Sequence, residues 1–239
     1  MYESLVAIEK IRDSTAAPRI SFVLRDLDER VKIQALQVTG VLRNKEAAPQ
    51  VREVLNSAAT VKVKRAALAT LAMFAESADH PVFLQNLGDK DEGVRTAAIE
   101  GLGRIRNQVD RMTLEQSFNG ERALNPRLAG AFAMVSLGDV STERYGALRY
   151  LFNTLNQKAS RSVASSYLIE LARVKPIREI MRQLLEGATK DERAQMAIIF
   201  ASTGDRDFVP VLEAMSKDPD PDVAAEGIRS LRVLRSSLP

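Results

Sequence analysis

Acidic and basic side chains crowd the stretch DKDEGVRTAAIEGLGRI, residues 89–105, where Asp89, Asp91 and Glu92 stand just ahead of Arg95. Carboxylates beside a guanidinium could serve acid–base chemistry or grip a phosphate. The chain has one histidine, His80, between Asp79 and Pro81. A carboxylate at the adjacent position cannot easily face the ring, so His80 reads as a capping or surface residue rather than a general acid. Cations also recur: Lys32, Lys64, Arg95 and Arg127 follow one another at spacings of 32, 31 and 32 residues, with Arg65 beside the second. Such a ladder could track a phosphate backbone. Alternatively, each cation bonds a cap aspartate or a helix-end carbonyl of its neighbour.

The spacing of the ladder is the spacing of the whole chain. Anchors equivalent to Val94 fall at Val31, Val63, Pro126, Val163, Ala194 and Val223. Apolar residues at offsets 0, 4, 5, 8 and 11 form one stripe of a 3.6-residue helix, as in VKRAALATLAMF and VRTAAIEGLGRI, with the segment from Ala194 the loosest fit. Three residues before the anchors stand Asp28, Thr60, Asp91, Ala123, Ser160, Asp191 and Asp220. Six of these seven can cap a helix, and the opening aspartates thereby gain a structural task. Shorter apolar-periodic stretches lie between, with Pro18, Pro49 and Pro81 near their starts, where a missing amide costs nothing. Each repeat is thus a helical hairpin of about 31 residues that buries enough surface only by stacking on its neighbours.

The expected fold is all-α, an α-solenoid of about seven hairpins forming a single domain over residues 1–239. Its second helices are expected near 3–13, 28–42, 60–74, 91–105, 123–138, 160–174, 191–203 and 220–235. The stretch ESLVAIEKIRD aligns as a second helix without its first, as expected of a piece of a longer array or of an atypical cap.

Offsets 2, 6 and 9 define a face beside the core stripe that would line a concave surface. In the third repeat this face holds Thr96, Glu100 and Gly103, with Arg104 adjoining. Later repeats place Leu128 and Phe132, then Ile169, then Met196 and Phe200 there, with Arg229 and Arg232 as a polar rim. Left open, these would make an apolar groove for a partner helix or extended peptide. Alternatively, the 37-residue spacing between the anchors Pro126 and Val163 marks a change of packing that buries them.

Composition removes several functions. Without cysteine there is no disulfide framework, thiolate metal site or cysteine nucleophile, and one histidine cannot build a histidine-rich metal centre. No cofactor is expected, and no enzymatic activity. The 34 Lys+Arg and 31 Asp+Glu are spread evenly through the chain, so bulk charge argues little for nucleic acid. No apolar run reaches signal-peptide or membrane-spanning length, and the chain reads as cytoplasmic with no direct membrane insertion. The GLG at 101–103 lies inside a helix, so it is no phosphate loop.

The pattern Asp-x-x-Val-Arg-x-x-Ala-Ile-x-x-Leu-Gly of residues 91–103, echoed in DPDPDVAAEGIRSLRVL, resembles the short HEAT-like repeats, also called phycobilisome-lyase-type HEAT repeats. The resemblance implies an α-solenoid; the family includes scaffolds, regulatory subunits and bilin lyases. HEAT-like deoxyhypusine hydroxylases hold two irons with several His-Glu pairs, which one histidine cannot supply. HEAT-like alkylpurine DNA glycosylases imply an aromatic cage with tryptophan, and this chain has none. The expectation is a scaffold that binds a protein partner on its inner helices. A nucleic-acid binder using Lys32, Lys64, Arg65, Arg95 and Arg127 and a bilin-lyase-like accessory protein are the alternatives.

Overall fold

A computed structural model describes residues 1–238. Among them all regular structure is helical, and the chain divides into two compact units, residues 1–133 and 134–239.

The first unit holds α1 (Tyr2–Ile11), α2 (Ala17–Ile20) prolonged by the 3-10 turn Ser21–Arg25, α3 (Glu29–Val41), α4 (Ala48–Asn56), α5 (Val61–Phe74), α6 (His80–Asn86), α7 (Glu92–Ile105), α8 (Arg111–Gly120) and most of α9 (Leu124–Ser136). Second helices pack in chain order, α1 on α3 on α5 on α7, while α4 and α6 close the hairpins against α5 and α7. In the second unit are α10 (Ala147–Thr154), α11 (Arg161–Ala172), α12 (Lys175–Gln183), α13 (Lys190–Ser202), α14 (Val209–Met215) and α15 (Pro221–Ser237). Here α11, α13 and α15 pack in succession.

The expected caps hold for four helices: Asp28, Thr60, Asp91 and Asp220 accept first-turn amides of α3, α5, α7 and α15. Ser160 occupies the cap of α11, but its hydroxyl bonds Gln157 instead. The sixth repeat is a correction. Asp191 does not cap α13; Thr189 does, in a capping box with Glu192. Reciprocal bonds there satisfy the amides of both Glu192 and Thr189 itself. The helix register consequently begins two residues earlier than the anchor Ala194 implied.

The core follows the apolar stripe. Val94, Ile99 and Leu102 of α7 are fully buried, as are Leu36 and Leu68. Close helix approach depends on small residues: a Cβ on Gly101 would lie 2.5 Å from the Phe83 ring, and one on Gly103 would lie 2.7 Å from the Ala133 Cα. Ile228, expected in the core, is 42% exposed.

Candidate functional site

Each acid of the 89–91 stretch has a structural partner. Asp91 Oδ1 accepts the Val94 amide at 2.9 Å, and Arg65 of α5 donates to both Asp91 oxygens at 3.1 and 2.7 Å. Asp89 accepts the Asp91 amide at 2.8 Å and the Lys64 ammonium at 2.6 Å. Arg95 repeats the arrangement one helix on. It donates to Glu121 at 2.8 and 3.1 Å and to the carbonyls of Asp89 and Lys90 at 2.8 and 3.1 Å.

Arg65, the fifth residue after its cap, reaches the next cap itself, and the Lys64 and Arg95 contacts follow one rule. The fourth residue after a cap is a cation, and it reaches the carboxylate two residues before the next cap, which in turn holds that cap region's amides. In the second unit Arg193, four residues after Thr189, binds Asp218 at 2.8 and 3.0 Å, and Asp218 accepts the Asp220 amide at 2.9 Å. Hydrogen bonds from Lys64, Arg65, Arg95 and Arg193 hold the carboxyls of Asp89, Asp91, Glu121 and Asp218 below their usual range, against the opposing effect of burial. The repeated D-x-D at 26–28, 89–91 and 218–220 is the sequence signal for this network.

As a phosphate track, the ladder is therefore corrected. Lys64, Arg65 and Arg95 are occupied by carboxylates, and Arg127 lies over the Phe118 ring, 5.8 Å from its centroid. Lys32 holds the equivalent place in α3, but Ala58 stands where its acid would be, and it has no ion pair among the described residues. His80 does have a facing acid. Its Nε2 lies 2.9 and 2.8 Å from the two oxygens of Asp110, a buried residue of the next repeat. Arg52 reaches Asp79 and Glu76 in the same manner.

The expected apolar groove is also corrected. Leu128, Met196 and Phe200 are fully buried and Phe132 is 1% exposed; Ile169 is half-buried. The register of α13 explains Met196 and Phe200: counted from its true cap, they fall on the core stripe. Phe200 stacks on Phe208, ring centroids 4.3 Å apart. Phe132 lies against the flank that Gly103 leaves free, with Arg104 5.1 Å over its ring. In the third repeat Thr96 bonds the Glu92 carbonyl at 2.7 Å, and Glu100 accepts Arg104 at 2.9 Å. Arg229 is exposed and paired with Glu226, while Arg232 is exposed.

The inner face does open, but in the first repeats. A cleft of about 490 Å³ between α1, α3 and α5 is lined by Ile33, Val41, Ala66, Ala69, Thr70 and Met73, with Glu9, Gln37, Lys62 and Arg65 around it. Ile33, Gln37, Arg65 and Ala69 are the inner-face offsets of the first two repeats. Small residues of α5 leave the space, and Glu9 is held at the rim by a 2.6 Å bond from Gln34. No grouping of three or more potential metal ligands occurs among the described residues, and no helix there is long and apolar enough to cross a membrane.

These features define an all-α repeat protein. Residues 16–103 match the family model described as HEAT repeats. The solved complex of CpcE and CpcF of phycocyanin lyase from Nostoc sp. is similar with a TM-score of 0.63 and 19% identity, covering 99% of this chain and 88% of that one. Human deoxyhypusine hydroxylase in complex with glycerol gives a TM-score of 0.40 and 15% identity, over 98% of this chain and 90% of that one. No curated protein matches the sequence. At 19% identity the likeness to the first of these concerns the fold alone.

Proposed function

We propose that the chain is a non-enzymatic scaffold, working in the cytoplasm, that takes a segment of a protein partner into the α1–α3–α5 cleft. The observation that carries this reading is the cleft itself: an apolar floor of Ile33, Val41, Ala69 and Met73 under a rim bearing Glu9 and Lys62. Its volume suits one or two apolar side chains, and charges of both signs at the rim would fix the segment's direction. The nucleic-acid alternative loses support because Lys64, Arg65 and Arg95 already serve Asp89, Asp91 and Glu121. A tetrapyrrole would want ring faces to stack on, and no aromatic residue lines the cleft.

Selection of a displayed random-peptide library tests the proposal. Peptides enriched on the native chain should carry an apolar residue and lose binding to Ala69→Trp, which fills the cleft. A selection in which no enriched peptide loses binding to Ala69→Trp would refute the site. Turnover of a defined substrate, or a spectral shift with added bilin that Ala69→Trp abolishes, would refute the non-enzymatic protein-binding role.

A further inference from the structure

The turns that follow the second helices of the first unit carry an unusual residue choice. The left-handed position is taken by Arg12 (φ 56°), Arg43 (φ 50°), Ala75 (φ 54°) and Arg106 (φ 58°), at spacings of 31, 32 and 31 residues. Comparable turns in the second unit use Gly138 (φ 95°) and Gly204 (φ 68°). A side chain in this conformation presses its Cβ toward the following carbonyl, a strain that glycine escapes. A cation beyond a helix C-terminus recovers part of this cost through the helix dipole, but less than glycine would save. Folding alone would therefore favour glycine, yet three of the four turns keep arginine.

Those arginines make no internal contact that accounts for them. All three are exposed, and none of their guanidinium groups has a hydrogen bond or ion pair among the described residues. Acids nearby are already engaged: Asp13 accepts the Thr15 amide, Glu76 pairs with Arg52, and Asp110 with His80. Lys45 and Arg111 add exposed positive charge along the same edge, and Asp13 and Glu46 are the exposed acids beside them.

We infer that this edge binds an extended acidic protein segment, with carboxylates received by Arg12, Arg43 and Arg106. Packed helices stand about 8–10 Å apart, and an extended peptide covers about 10 Å in three residues, so acids at every third position or multiples of it meet successive arginines. Guanidinium forks suit carboxylates through paired hydrogen bonds. A single nucleic-acid strand would call for aromatic faces among the cations, and the turns at 12–14, 43–46 and 106–108 contain none. Arg12, Arg43 and Arg106 do not line the cleft, and each site can fail without the other.

The test uses a fluorescent glutamate-rich 15-residue peptide and a single-stranded oligonucleotide of equal charge, titrated by anisotropy at low and physiological salt. The native chain should bind the peptide more tightly than the oligonucleotide. The triple variant R12G/R43G/R106G should weaken peptide binding about tenfold or more, as expected for the loss of three surface ion pairs, while its thermal midpoint stays equal or rises. The variant R12Q/R43Q/R106Q, which keeps the side-chain bulk, should lose binding to the same degree. Ala69→Trp should leave peptide binding intact. Unchanged binding in both triple variants, tighter binding of the oligonucleotide, or a lowered midpoint in the glycine variant would overturn the inference.

Discussion

Arg95→Ala separates a structural cation from a ligand-binding one. The guanidinium is 19% exposed and its partner Glu121 13%, and it makes two bonds to that carboxylate and two to main-chain carbonyls. Removing one member of a fully buried pair costs about 3–5 kcal/mol, and a single hydrogen bond to a charged group about 1.5–3. Residual exposure, and the amides of Arg122 and Ala123 that still serve Glu121, bring the expected loss to about 2–3 kcal/mol. Thermal midpoints should fall by roughly 5–10 °C for a chain of this size. Urea unfolding followed by circular dichroism should show a lower midpoint at unchanged slope. A double-mutant cycle with Glu121→Ala should return a coupling of about 1–2 kcal/mol. Arg193→Ala, which breaks the equivalent pair with Asp218, should behave alike, while Lys32→Ala should stay within about 0.5 kcal/mol. If Arg95→Ala proved as stable as the native chain and instead lost nucleic-acid binding, the structural reading of the ladder would be refuted.

Phe200→Ala should cost about 3–5 kcal/mol, measured by denaturant unfolding, since it empties a fully buried site stacked on Phe208; a loss below 1 kcal/mol would mean the ring lies at a surface after all. His80→Ala leaves Asp110 buried beside no donor and should cost about 1–3 kcal/mol, part of which Asp110→Asn in the same chain should restore; an unchanged midpoint in the single variant would sink that account. Asp89, Asp91, Glu121 and Asp218 titrate lower folded than unfolded, so their contribution is complete above the ordinary carboxylate values of 3.8 and 4.5 and drains as pH falls through and below them. Unfolding free energy should accordingly drop between about pH 5 and pH 2, and Asp218→Asn should flatten that drop; an equally steep profile in the variant would count against the pair.

Repetition made most of the helices legible in the sequence. Local interactions alone place the caps at Asp28, Thr60, Asp91 and Asp220 and the stripe through Val94, Ile99 and Leu102, because a capping bond and an apolar period of 3.6 depend only on neighbours along the chain. Even the error at α13 was local. Asp191 and Thr189 compete for one role, and only the pairing with Glu192 selects Thr189.

Which faces stay open could not be read that way. Phe132 and Phe200 lie on apolar flanks that sequence distance cannot tell from a groove; the space beside Gly103 and the stacking on Phe208 bury them. Nor could the sequence say that Arg95 meets Glu121, 26 residues away, or that Ile33, Ala69 and Met73 would frame a cleft. The amino-acid order determined the repeat, the helices and the charge inventory, since these follow from short-range bonding and periodicity. Tertiary packing decided which cations are held by carboxylates and which, like Arg12, Arg43 and Arg106, face solvent, because that depends on what the next helix brings within reach.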